Sequence, residues 1–154
     1  DPVFFAAARV FGPAGTGRRE EEFNKNLSEL LARDPEQAVS GFVKHWGDGQ
    51  AWQDIPPDQR QYMTERIHLI PYVNAQLVED RAGLLPRLGE ITIPVLLIRG
   101  EKSPPVMAGI CAALTQNISG ARQVTIKGAS HMGPITHPHE TADEIARFYA
   151  GIDK

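Results

Sequence analysis

The sequence predicts an α/β chain, helical in its first part and built around a short parallel sheet in its second. Three observations lead there. Helical periodicity and capping signals dominate the first ~90 residues. Ile93-Pro-Val-Leu-Leu-Ile98 is apolar at every position, as a parallel strand covered on both faces would be. A second strand, Arg122-Gln-Val-Thr-Ile-Lys127, runs into Gly128-Ala-Ser-His-Met-Gly133 and then a closing helix that carries Ile145, Phe148, Tyr149 and Ile152. This order sets one histidine at a sheet edge, where a general base would sit.

Taken in chain order, Asp1-Pro-Val-Phe-Phe5 is apolar and extended in character, the tail of a strand, and Ala6 to Val10 begins a helix. Gly12-Pro-Ala-Gly-Thr-Gly17 is a connector. It has glycines but no Gly-Lys-Ser/Thr ending, so it is no phosphate loop. Arg18 to Ala32 forms an amphipathic helix with Phe23, Leu27, Leu30 and Leu31 on one face, and Glu20-Glu-Glu22 in an exposed first turn that suits the helix dipole. Asp34-Pro35 is a strong helix start. Val39, Phe42, Val43 and Trp46 follow at i, i+3, i+4 and i+7, and Gly47 ends that helix. A polar loop containing Trp52 comes next. Two further helices, Pro57 to His68 and Tyr72 to Glu79, are broken near Pro71. The natural division is 1–90, a strand end plus helices, and 91–154, the alternating strand and helix part.

Composition excludes several classes. At 154 residues the chain is long enough for its own core. A formal charge of −3 and the lack of a basic run argue against nucleic acid as a partner. No apolar run reaches the ~20 residues that span a bilayer, so no membrane partner is expected. The first residues have neither a Met nor a positive n-region, so they are not a signal peptide and resemble the product of cleavage or trimming. The lone cysteine, Cys111, fits a reducing, cytoplasmic setting. Its apolar neighbours, Ile110 and Ala112-Ala-Leu114, mark it as a buried thiol.

The sheet is predicted to be incomplete. A strand buried on both faces needs hydrogen-bonding neighbours on both sides, and Val124 to Ile126 is the one clear partner. Two parallel strands are not independently stable. The remaining strands are expected from a second chain or a segment preceding this one.

At this point residues 91 to 152 resemble the C-terminal half of an α/β-hydrolase-fold protein. Ile91-Thr-Ile-Pro-Val-Leu-Leu-Ile-Arg-Gly100 is similar to the family's penultimate strand. Gly128-Ala-Ser-His-Met-Gly-Pro134 is similar to the loop that holds its catalytic histidine, and His137 to Phe148 to its final helix. Residues 7 to 90 look like the lid that many members insert before the penultimate strand. The resemblance implies a nucleophile, a histidine base and an acid that orients it. His131 matches the base. The acid is open. The family usually places it in a Gly-x-x-Asp pattern, here Gly100-Glu-Lys-Ser103. Glu101 in that loop, Asp1 after the strand that precedes the lid, or no acid at all are the alternatives. No Gly-x-Ser-x-Gly or Gly-x-Asp-x-Gly elbow occurs, and the oxyanion-hole segment is absent.

The resemblance further implies an apolar pocket under the lid, for which Trp52 in its loop, Trp46 and Met132 are candidates, with Tyr62 and Pro134 nearby. His131, His137 and His139 lack a Cys or carboxylate to complete a metal set, so neither metal nor cofactor is expected. The activity implied is hydrolysis of a small apolar carboxylic ester or related acyl compound. This chain alone would be inactive, with nucleophile and oxyanion hole supplied by the N-terminal half. Epoxide hydrolases, haloalkane dehalogenases, carbon–carbon bond hydrolases and cofactor-free haloperoxidases share the fold. A binding module that has lost catalysis is the alternative of another class, suggested by Ser103 in the usual acid position.

Overall fold

In the computed structural model, which describes residues 1–152, the predicted order of elements is present with shifted boundaries. Helix α1 spans Phe5–Phe11 and residues 1–4 lie in no strand. The expected strand tail over Asp1–Phe5 is therefore not formed: Phe5 already belongs to α1, since Ala6-Ala-Ala8 are strong helix formers and pack, fully buried, on the later helix α6 (Val106–Asn117). Helix α2, Arg18–Leu31, follows Gly17, which holds φ +85°. Its residue Glu20 is buried rather than exposed. The first turn of a helix is the place where a buried carboxylate is least costly, since the unpaired N–H groups there carry positive charge.

Helix α3, Pro35–Trp46, starts as its sequence requires: Asp34 accepts a hydrogen bond from the Gln37 N–H at 2.9 Å. Gly47 ends it for a reason different from the usual left-handed cap. Its backbone is extended (φ −77°, ψ 176°), and a Cβ there would lie 2.5 Å from the Val43 carbonyl oxygen. The following loop contains one 3-10 turn, Trp52–Asp54. Helices α4 (Pro57–Arg66) and α5 (Leu69–Leu77) are separated at Ile67-His68, not at Pro71. Pro71 falls in the first turn of α5, where a missing N–H breaks no bond. Asp80, at φ +51°, then accepts from the Leu84 and Leu85 N–H groups and starts a 3-10 stretch, Leu85–Glu90.

The sheet has two parallel strands, β1 (Leu96–Gly100) and β2 (Arg122–Ile126), with Leu96 opposite Arg122 and Gly100 opposite Ile126. Strand β1 begins three residues later than the apolar run suggested. Pro94 has no N–H for a ladder, and Ile93 is 69% exposed. Burial along β1 is partial: Leu97 and Gly100, which lie on opposite faces of the strand, are its buried residues, and α6 and the closing helix (Pro138–Ala150) both contact it. Helix α6 makes the crossover and supplies the centre of the core, with Met107, Ile110 and Cys111 fully buried. Burial pushes the Cys111 thiol pKa up, which makes it inert. A short turn of helix α7 (Gly133–Thr136) leads into α8 (Pro138–Ala150).

Two apolar clusters result. One joins α1, α6, β1 and Trp46. The other joins α2, α3 and the α4–α5 turn through Leu27, Ala38, Val39 and Ile67. Phe23 and Phe42 pack against both clusters, so the helical part and the sheet part share packing. Among the described residues no helix is long and apolar enough to cross a membrane.

Candidate active site

The carboxyl ends of β1 and β2 meet the first residue of the chain. Gly100 closes β1, and a Cβ on it would lie 2.4 Å from the Ser130 carbonyl oxygen, so only glycine lets the His131 loop come this close. That loop is fixed by its neighbours. The Lys102 N–H donates to the Ala129 carbonyl at 2.8 Å, the Gly133 N–H to the Ser130 carbonyl at 3.0 Å, and the Gly128 N–H to Glu101 Oε2 at 2.9 Å. Gly128, at φ +77°, makes the turn out of β2.

His131 and Asp1 come together across nearly the whole chain. His131 Nδ1 lies 2.9 Å from Asp1 Oδ2. An ionised carboxylate only accepts, so Nδ1 carries the proton and Nε2 is left as the acceptor. The Asp1 carboxylate is nearly closed to solvent (1% of its side chain exposed), whereas His131 keeps 24% open. Two further groups hold the carboxylate: the Gly100 N–H at 3.1 Å and the Ser103 hydroxyl at 2.6 Å. Donors on a buried carboxylate favour its charged form. Burial pushes the His131 pKa below the ordinary histidine value of 6.5, the positive charge of the Asp1 amino group lowers it further, and Asp48 opposes both. The bond to Asp1 also favours the imidazolium, yet desolvation sets the direction, so the resting ring is neutral near pH 7.

Glu101 is exposed and its carboxylate is engaged by Gly128, not by His131. Trp46 is buried, its ring centroid 5.0 Å from that of His131 and 6.0 Å from that of Phe5, so it backs the imidazole. Trp52 faces elsewhere: its indole N–H donates to Glu36 at 3.3 Å and Arg60 lies over its ring. Met132 lines a largely apolar cavity of about 510 Å³ between α3, α4 and α7, together with Val39, Phe42, Val43, Met63 and Ile135. Asp48, Gln50, Arg66 and Thr136 are its polar groups, and Tyr62 also lines it. The cavity adjoins the dyad through Met132, the residue after His131, while Trp46 and Trp52 lie outside its lining. Among the described residues no group of His, Cys, Asp and Glu is placed to hold a metal ion. His137 pairs with the Thr136 hydroxyl at 2.9 Å.

Sequence reasoning passed over Ser103 as a hydrogen-bond donor and Met63 and Ile135 as cavity residues. A serine standing where a carboxylate is usual, with another carboxylate elsewhere, was the available signal for Ser103. None existed for the other two, which belong to helices of unremarkable pattern.

No family model and no curated protein matches the sequence. Among solved structures, a bromoperoxidase from Bacillus anthracis is similar to it, with a TM-score of 0.61 and 18% identity, over 82% of this chain and 48% of that one. The chain thus spans about half the length of that structure. The bromoperoxidase has the α/β-hydrolase fold, and the helix-rich chain with its small parallel sheet has the arrangement of part of that fold.

Proposed function

We propose that this chain is the lid and histidine-bearing half of a hydrolase acting on a carboxylic ester or related acyl compound. The observation that carries the reading is the buried Asp1 carboxylate bonded to His131 Nδ1 beside an apolar cavity. A buried carboxylate fixes the tautomer and orientation of the ring and stabilises the imidazolium that forms in the reaction. His131 Nε2 takes the proton of a nucleophile hydroxyl as that oxygen attacks the acyl carbon. It then returns the proton to the leaving alcohol, and a water repeats the sequence to free the acid. Asp1 positions, His131 transfers the proton, and the apolar part of the substrate occupies the cavity lined by Met132. Ser103 donates to Asp1 instead of replacing it, which favours catalysis over a ligand-binding module.

The nucleophile and oxyanion hole are assigned to an N-terminal half of the same fold. Two features support this. Each strand of the sheet has one neighbour, and helix α8 leaves Ile145, Tyr149 and, just beyond it, Ile152 exposed, Tyr149 to 66%. A serine in that half means esters; an aspartate means epoxides or haloalkanes.

The test is native co-purification with intact-mass analysis, followed by turnover of nitrophenyl esters of graded acyl length. A partner segment with a Gly-x-Ser-x-Gly turn and ester turnover that falls by ~10³ or more in His131→Ala are the expected results. Turnover unchanged in His131→Ala removes the reading.

A further inference from the structure

A second, smaller cavity of about 220 Å³ lies beside the dyad, lined by Arg19, Lys44, Lys102, His45, Ser103 and Ser130 among others. Its character is opposite to that of the cavity under the lid. Three cations come to it from three elements: Arg19 from α2, Lys44 from α3 and Lys102 from the loop after β1. No carboxylate lines it, and among the described residues none of the three cations has an acidic partner. Two polar atoms of its lining residues, His45 Nε2 and Ser130 Oγ, are buried without any hydrogen bond. Buried polar groups are ordinarily satisfied, and those that are not call for an explanation. His45 is held between Phe23, stacked on its ring at 4.2 Å, and Trp46, edge-on at 4.9 Å. Burial lowers its pKa, and Arg19 lowers it further.

We propose that this cavity is a subsite for a small oxyanion, a carboxylate or phosphoryl group. Converging cations neutralise such a group, and a hydroxyl and an imidazole N–H supply the directed hydrogen bonds it accepts. The acids nearby are accounted for. Asp1 is enclosed by its own three donors, Glu101 is engaged by Gly128, and Asp48 lines an adjoining groove with Lys102 and Ser130. The groups around His45 are Arg19 and Phe23 of α2, Lys44 and Trp46 of α3, and Lys102 and Ser130 of the loops. An anion among them reverses the repulsion by Arg19 and raises the His45 pKa. The site does not depend on His131 acting as a base.

The test is titration of the full chain with inorganic phosphate and with acetate, followed by NMR at the His45 ring and the Ser130 amide. The expected results are saturating shifts, a rise of the His45 pKa, and affinity for phosphate reduced about tenfold or more by Arg19→Gln with Lys102→Gln. Stronger binding of acetate assigns the subsite to carboxylates, and stronger binding of phosphate assigns it to phosphoryl groups. Both substituted side chains are exposed, so the fold survives their replacement. The proposal is overturned if neither anion gives a saturating shift. It is also overturned if sodium chloride at equal ionic strength reproduces the shifts, or if the double variant binds phosphate as tightly as the parent.

Discussion

At the scale of single residues, charge and burial divide the two carboxylates that the sequence left as rivals. Asp1 is enclosed and bonded to three donors, whereas Glu101 is exposed and engages a backbone N–H. If the proposed hydrolase function holds, Asp1→Asn keeps the shape but permits the wrong imidazole tautomer, and kcat is expected to fall by up to ~10⁴. Glu101→Gln retains an acceptor for Gly128, and steady-state kinetics should show kcat within a few-fold of the parent. His131 supplies the pH dependence. Its pKa in the folded chain lies below the ordinary 6.5, so the unfolded state binds the proton first as pH falls. This contribution to stability is complete above pH 6.5 and is lost as pH drops from there through the folded value. Urea unfolding followed from pH 8 to 5 should show the loss, and His131→Gln should remove that part of it. The acid limb of kcat/KM should likewise fall below pH 6.5.

At the scale of elements, the site is set by where strands and helices stop. Gly100 ends β1 against the Ser130 carbonyl. Gly100→Ala forces the His131 loop away, and the Nδ1 proton resonance of His131, shifted downfield by its carboxylate bond, should move back toward that of a free imidazole. Unchanged position of that resonance would refute the close-approach argument. Asp34 starts α3 by its bond to Gln37. Asp34→Ala should cost about 1 kcal/mol in denaturant unfolding, with the Asp1–His131 pair intact because the cap is at the far end of α3 from Trp46. Boundaries were the least legible feature of the sequence. The apolar run from Ile93 to Ile98 marked a strand, yet hydrogen bonding moved it to Leu96–Gly100, since Pro94 cannot donate. Pro71 signalled a break, yet the chain turns at Ile67-His68, because a proline is harmless in a helix's first turn.

At the scale of the whole molecule, one core holds the dyad. Ile110 and Met107 on α6 are fully closed to solvent and pack with Phe5, Trp46 and Leu97. Ile110→Ala should cost about 2–5 kcal/mol by thermal or urea unfolding, with loss of the His131–Asp1 signal at the same midpoint, since the helical part and the sheet part share packing. The exposed apolar side chains of α8 behave oppositely. Tyr149→Ser should leave the stability of this chain within ~0.5 kcal/mol, while weakening its association with the proposed N-terminal half in a titration of one against the other.

The sequence by itself determined the alternation of helices and strands, the parallel pairing of β1 with β2, the start of α3 at Asp34 and the position of His131 in a loop after the last strand. These follow from periodicity, capping and turn chemistry, which act over a few residues. Only the tertiary structure decided that Asp1, not Glu101, meets His131, that Ser103 donates to that carboxylate, that Trp46 backs the imidazole while Trp52 turns to Glu36, and that Glu20 is buried. Each of these pairings joins distant segments or reflects how helices pack, and no local pattern encodes which side chains will share a cavity wall.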